Sequence, residues 1–308
     1  MTVVRAQFDQ LLQPGARKVF VDDYNELPAI YPDIFNVDTS GKAFEDDLVI
    51  TGLPIALKRP EGTPIAMDRP KFRGRVRYIH AGFGLGYEIT REAVEDDVYG
   101  ALNSQGASNL ARSMRETEEV TAHAVINGSF STTLTYDGVS LVNTAHLGVG
   151  ALTFSNRANP DADLSTTSLK ASLERSMNLR TDRDLKINLM PEKLLVSIFN
   201  WWTALEILQT QFVTTTLAAN GIESEHTVNV MSKQGLVPVK SQYITDTDAW
   251  WTLVSKSARS YPLQYYWRSA PQDVSGFEAR EQISWFGILA RMSAGATNWR
   301  GIDGSSGA

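Results

Sequence analysis

Apolar and polar positions alternate with two different periods along the chain, and the change of period predicts its main elements. Val94, Val98, Leu102, Leu110, Met114, Val120 and Val125 recur mostly at three- or four-residue steps or sums of them, which marks one face of a helix. Thr90 supplies an N-cap, and Glu92, Glu95, Asp96 and Asp97 put negative charge where the helix dipole favours it. Asn127-Gly128 is a stop signal. A continuous helix over 91–126 would be on the order of 50 Å long at ~1.5 Å per residue, with Gly100 and Gly106 as places for a bend.

Upstream the period is two. Residues 49–57 and 72–79 have strand character, and the Pro- and Gly-punctuated KRPEGTP and MDRPK lie between them. In FRGRVRY the arginines alternate with Phe72, Gly74, Val76 and Tyr78, so one face of the ribbon is basic. The pattern predicts a long two-stranded hairpin that needs something to lie against. Residues 1–45 read as an arm whose Tyr31, Ile34 and Phe35 bury against a neighbour. Residues 136–278 read as a separate α+β body. It has a turn at Asp137-Gly138, a helix over 165–180, a buried strand in KLLVSIF, and a helix from an Asn200 cap. HTVNVM, LVPVK, AWWTLVSK and LQYYWR are strand-like, FEAREQISWFGILARMS is a long alternating run, and WRGIDGSSGA reads as a flexible polar tail.

Composition narrows the class. The 308 residues are 43% hydrophobic and 21% charged, enough for a sizeable core, with no apolar run long enough for a membrane helix and no secretory signal pattern at the start. Cysteine is absent, which removes disulfides, thiolate metal sites and cysteine nucleophiles. A net charge of −6 argues against a polyanion binder. The charge is segregated: residues 1–50 carry four basic and nine acidic side chains (4 − 9 = −5), and residues 58–77 carry seven basic and two acidic (7 − 2 = +5). That contrast suits a basic extension that reaches an acidic surface on another copy.

Chemistry is sparse. His80, His123, His146 and His226 show no metal-ligand spacing, and there is no HExxH, GxSxG, P-loop or calcium loop. RYIHAGFGLGYEITREA looks at first like a phosphate cradle. Its spacing is G-x-G-x-G rather than G-x-G-x-x-G, and the acidic helix start would repel a phosphate. Three alternating glycines on one strand instead leave a bare strip open to close approach. Trp201-Trp202, Trp250-Trp251, Tyr265-Tyr266-Trp267, Trp285 and Trp299 lack interleaved basic residues and read as core or subunit interface. No catalytic, cofactor or metal residue stands out, so the chain is not expected to be an enzyme or to carry a cofactor.

The order of acidic arm, basic hairpin, long helix, α+β body and returning strand resembles the Hong Kong 97-type major capsid protein of tailed phages. Within that group it is similar to the Mu-like major head subunit family. The residues that carry the likeness are GYEITREAVEDDVYG (86–100), DGVSLVNTAH (137–146), PEKLLVS (191–197), TDTDAWWTL (245–253) and RGIDGSSGA (300–308). The resemblance implies an α+β Hong Kong 97-like capsid fold. Its parts would be an N-terminal arm (1–45), an E-loop (46–86), a P domain with a spine helix (87–135), an A domain (136–278), and a P-domain return strand with a C-terminal tail (279–308).

It implies pentamers and hexamers of an icosahedral shell around double-stranded DNA, held without sequence-specific binding. Assembly would take place in a bacterial host's cytoplasm with a separate scaffolding protein, a portal and a decoration or cement protein. No membrane is involved, and the virion is the destination. Lys58, Arg59, Arg69, Arg73, Arg75 and Arg77 are the expected intersubunit contacts for the arm or for Glu92, Glu95, Asp96 and Asp97. A cellular nanocompartment shell of the same fold and an enzyme with an unrecognised site are the competing readings.

Overall fold

A computed structural model of the chain describes residues 5–96, 101–150, 152–216 and 224–308. In chain order the elements are α1 (Arg5–Glu26), α2 (Tyr31–Ile34), β1 (Asn36–Thr39), β2 (Phe44–Ile50), β3 (Phe72–Ile79) and β4 (Ala81–Thr90). Next come α3 (Arg91–Asp96), α4 (Ala101–Asn127), β5 (His146–Leu147), β6 (Thr153–Phe154), α5 (Thr166–Met177), β7 (Pro191–Ser197) and α6 (Trp201–Gln209). The last are β8 (Phe212–Thr216), β9 (Ser224–Val228), β10 (Val237–Ser241), β11 (Trp250–Val254), β12 (Leu263–Glu278), β13 (Ile283–Ala296) and β14 (Ile302–Ser305). They form two compact units. The first comprises Met1–Glu45, Arg77–His123 and Gln264–Gly295, and the second Asp46–Val76, Ala124–Leu263 and Ala296–Ala308.

The first unit is built on a four-stranded sheet of order β1-β12-β13-β4. The three alternating glycines lie within the single strand β4, antiparallel to β13, with Gly82 opposite Arg291, Gly84 opposite Leu289 and Gly86 opposite Gly287. A Cβ on Gly84 would come 2.5 Å from Leu289 Cδ2, and one on Gly86 would come 3.1 Å from Phe286 O. Gly84 and Gly86 thus accommodate close approach from β13, whereas a Cβ on Gly82 would come no nearer than 4.0 Å, to Arg291 Cγ. Gly106 acts similarly in α4: a Cβ there would sit 2.8 Å from the Tyr87 ring, so the glycine seats an aromatic side chain on the helix. Burial pushes the Tyr87 hydroxyl up to about 12.

The arm's apolar residues are buried in this chain's own body, where the sequence suggested a neighbour. Ile34 and Phe35 are fully buried, and Tyr31 stacks on Tyr265 with ring centroids 4.6 Å apart. The reason lies on α4. Its buried stripe is Ala107, Leu110, Ala111, Met114, Glu118, Glu119, Ala122, His123, Val125 and Ile126, while Val120, expected on that stripe, is 53% exposed. Two carboxylates occupy inward positions because the arm brings donors to them. Tyr24 donates its hydroxyl to Glu118, and Arg115 Nη1 donates to Glu118 Oε2 at 2.8 Å. The backbone N–H groups of Ile30 and Tyr31 donate to Glu119. Burial pushes both carboxyls above the ordinary glutamate value, against the lowering effect of these bonds.

The N-cap expectation holds: Ala93 N donates to Thr90 Oγ1 at 3.3 Å. Helix α4 stops at Asn127, where Gly128 N donates to Ala124 O at 3.0 Å. Continuity across 97–100, including Val98 and Gly100, lies outside the described residues.

The second unit is built on a sheet of order β10-β7-β11-β14, with β7 parallel to β10 and antiparallel to β11. Leu169 and Leu173 of α5, Ala204 and Leu208 of α6, Leu194 and Val196 of β7, and Trp250 share one core. Helix α5 begins in a capping box made by Ser165 and Ser168. The expected Asn200 cap makes no side-chain cap bond; its amide donates instead to Asp248 O at 3.1 Å.

The tail is not flexible. All four residues of β14 are buried against β11, and Asp303 is held by Arg175 through Nη2 at 2.8 Å and Nε at 2.9 Å. Polar residues form this strand because partners for them are waiting on α5 and β11, among them the Ser172 hydroxyl. Strand β12, read from sequence with the body, pairs from Gln264 onward with β1 in the first unit.

Candidate assembly interface

One constellation in the second unit has the look of a catalytic relay. His146 Nδ1 lies 2.8 Å from Asp137 Oδ2, and Nε2 lies 3.1 Å from Asn156 Oδ1. Thr135 Oγ1 donates to Asp137 Oδ1 at 2.6 Å. The Asn156 amide is fixed in orientation: its Nδ2 donates to the carbonyls of Leu141, Trp299 and Ile302, and its Oδ1 accepts from Asn143 N. Both ring nitrogens therefore face acceptors, and the ring, fully buried, stacks 4.4 Å from Trp299. A general base needs a free nitrogen within reach of a substrate. This ring offers neither, and its geometry serves to bind the 135–146 segment to the C-terminal segment.

Two of the other histidines are buried. His123 is buried with Nδ1 2.8 Å from Glu119 O, and burial pushes its imidazole down. His80 is buried, and the His226 side chain lies outside the described residues. Among the described residues no group of His, Asp and Glu could hold a metal ion, and no helix is long and apolar enough to cross a membrane.

The hairpin is present, with a shorter ladder than its pattern suggests. Strand β3 covers 72–79 as expected, but β2 ends at Ile50 and residues 51–71 form no strand. Pro54, Pro60, Pro64 and Pro70 withhold donors along this stretch. Thr51 N donates to Lys71 O at 2.9 Å, Arg75 Nη1 lies 3.7 Å from Asp46 Oδ2, and the Arg77 guanidinium sits 3.9 Å over the Phe44 ring. The partners run back from 77 to 71 as β2 runs forward, so the pair is antiparallel. Beyond it the tip is exposed, and Ile55, Leu57, Ile65 and Met67 show 66–91% of their surface. Such a row of bare apolar side chains, flanked by Lys58, Arg59 and Arg69, is surface that another molecule would cover.

The six expected docking residues divide into two groups. Arg73, Arg75 and Arg77 are engaged near the root of the hairpin. Arg73 Nη2 donates to Leu147 O at 2.7 Å, with Nε 4.0 Å from Asp182 Oδ2, whose other oxygen takes Arg300 Nη2 at 2.9 Å. Arg183 Nη1 reaches Asp68 Oδ2 at 3.2 Å and adds a second tie. Lys58 and Arg69 stand exposed on the tip, and Arg59 Nε donates to the local carbonyl of Thr63 at 2.6 Å.

On the acidic side, Glu92 and Asp96 are exposed at the start of α3, whereas Asp97 and the Glu95 side chain lie outside the described residues. Trp202, read from sequence as core or subunit interface, is 71% exposed on α6, and beside it Phe199, which sequence reasoning missed, is 72% exposed. Trp202 lies on the polar side of that helix pattern, which was the available sign.

A family model described as phage capsid protein matches residues 78–302. No curated protein matches the chain. Among solved structures, the procapsid of bacteriophage JBD30 is 17% identical, covers 98% of this chain and 76% of that chain, and gives a TM-score of 0.53. The capsid of a native GTA particle is 10% identical over 90% of each chain, with a TM-score of 0.58. A virus-like particle from Pyrococcus furiosus is 10% identical over 95% of this chain and 98% of that chain, with a TM-score of 0.51. At such identities the shared property is the fold, the α+β Hong Kong 97-like capsid fold.

Proposed function

The chain belongs to the phage capsid protein family, and from that premise we propose that it is the major head subunit, whose copies close as pentamers and hexamers into an icosahedral shell around double-stranded DNA. The observation that carries this reading is the family match over 78–302, which runs from the end of β3 to the start of β14 and so takes in parts of both compact units. The Mu-like subgroup is the best assignment within the family, on the motifs quoted from the sequence. Residues 1–45 serve as the N-terminal arm, the β2–β3 hairpin and its tip as the E-loop, α4 as the spine, and the β7–β11 sheet as the A domain.

Exposed apolar surface supports assembly. The hairpin tip and the Phe199–Trp202 pair offer neighbours the large, unpartnered side chains that subunit contacts favour. Lys58, Arg59 and Arg69 reach the acidic start of α3, Glu92, Glu95, Asp96 and Asp97, on an adjacent copy. Arg73, Arg75 and Arg77 hold the root from which they extend. A separate scaffolding protein and a portal act during assembly. The JBD30 capsid is decorated with minor capsid protein trimers, and a comparable cement protein is a natural partner here.

The likeness to the Pyrococcus furiosus virus-like particle keeps a second reading open, a shell without a phage genome. Nuclease treatment of particles from the native source separates the two. Protected double-stranded DNA of uniform length supports the phage head, and particles that hold protein but no DNA support the alternative.

A further inference from the structure

His80 is the single residue between β3, which pairs with β2, and β4, which pairs with β13. It is 5% exposed. Its Nδ1 lies 3.0 Å from Ser293 Oγ on β13, while Nε2 is buried and has no hydrogen-bond partner among the described residues. Three charged groups face it from the surrounding strands: Glu45 at the start of β2, Arg268 on β12 and Arg291 on β13. Glu45 is already bonded to Ser40 Oγ at 2.7 Å and Lys42 Nζ at 2.9 Å. Arg268 Nε is itself buried without a partner among the described residues, and Arg268 Nη1 donates to Ser40 O at 3.4 Å. The site therefore suits a neutral ring. A proton on Nε2 would create a buried donor with no acceptor, next to two guanidinium groups and one carboxylate that is already occupied.

We propose that His80 is a proton-operated joint at the root of the hairpin: neutral, it keeps the β3–β4 junction closed, and protonated on acidification it forces the junction open. Burial lowers the ring below its ordinary value, Glu45 opposes that, and Arg291 and Arg268 add to it. A histidine depressed in the folded state leaves stability untouched above the unfolded value of about 6.5 and removes it as pH falls below that. Opening then grows by up to about tenfold per pH unit until the folded ring itself titrates. The device is independent of what the shell encloses.

Hydrogen–deuterium exchange of the full chain between pH 7.5 and 5.0, corrected for the intrinsic exchange rate, tests it. Amides over 72–90 are expected to lose protection as pH falls below about 6.5, while those of β7 and β11 hold. His80→Gln, which keeps a polar partner for Ser293 and cannot be charged, is expected to show a flat profile. Uniform protection in the wild type, or an unchanged acid response in His80→Gln, overturns the proposal. Should the variant fail to fold, the wild-type imidazole titration read by NMR decides. A ring that titrates below about 6.5 supports the joint, and one at or above that value overturns it.

Discussion

Replacing His146 by Ala is the perturbation whose size the structure fixes best. Asp137 and His146 have side chains 2% and 0% exposed, so neither is screened by water. The variant leaves Asp137 with Thr135 Oγ1 and Val139 N as its donors among the described residues. Breaking a buried pair by removing one partner costs about 3–5 kcal/mol, and losing the stacked face on Trp299 costs about 0.5–1.5 kcal/mol more. At about 2–4 °C per kcal/mol for a unit of this size, the melting temperature should fall by about 7–26 °C.

The pH dependence has a definite sign. Burial alone would raise the Asp137 carboxyl, but the bonds from His146, Thr135 and Val139 outweigh it and hold the group below its ordinary value. The stability it contributes is therefore present above about pH 3.9 and lost as pH falls through the folded value. In His146→Ala this acid limb should flatten. The assay is thermal unfolding of the unassembled chain from pH 7 to 3, followed by tryptophan fluorescence. A melting temperature within about 3 °C of wild type, with the acid limb unchanged, would refute the view that this pair is a buried structural tie.

Other outcomes follow from the same geometry. Arg175→Leu strands the buried Asp303 carboxylate on β14 and should cost about 3–5 kcal/mol in urea unfolding; a loss under about 1 kcal/mol would mean that the C-terminal strand is held by its ladder alone. Gly106→Val drives a side chain into the Tyr87 ring and should cost about 1–3 kcal/mol, with part of the loss recovered in the double variant that also carries Tyr87→Leu. Lys58→Glu/Arg59→Glu/Arg69→Glu should block assembly while leaving the melting temperature of the unassembled chain within about 2 °C, because exposed charges contribute little to folding. Normal shells with ordinary salt tolerance would sink the docking role.

Much of this was legible in the sequence because period and punctuation are local properties. β3 was readable from FRGRVRY, α5 from its leucine spacing and Ser165, and the strand character of GFGLG from alternation alone. What escaped depends on partners distant in the chain. Glu118 and Glu119 look like solvated helix charges until the arm's Tyr24, Ile30 and Tyr31 are seen to meet them. IDGS looks like a loose tail until Arg175 and Trp251 are placed beside it. The docking arginines shared one pattern in sequence, but only position along the hairpin separates those that fasten its root from those left on its tip.

The central claim is that copies of this chain close into shells. Cryo-electron microscopy of the purified full chain, with mass photometry at matched concentration, tests it most directly. The account predicts closed particles built of pentamers and hexamers, alone or with a co-expressed scaffolding protein. A chain that stays monomeric or dimeric under both conditions would contradict it.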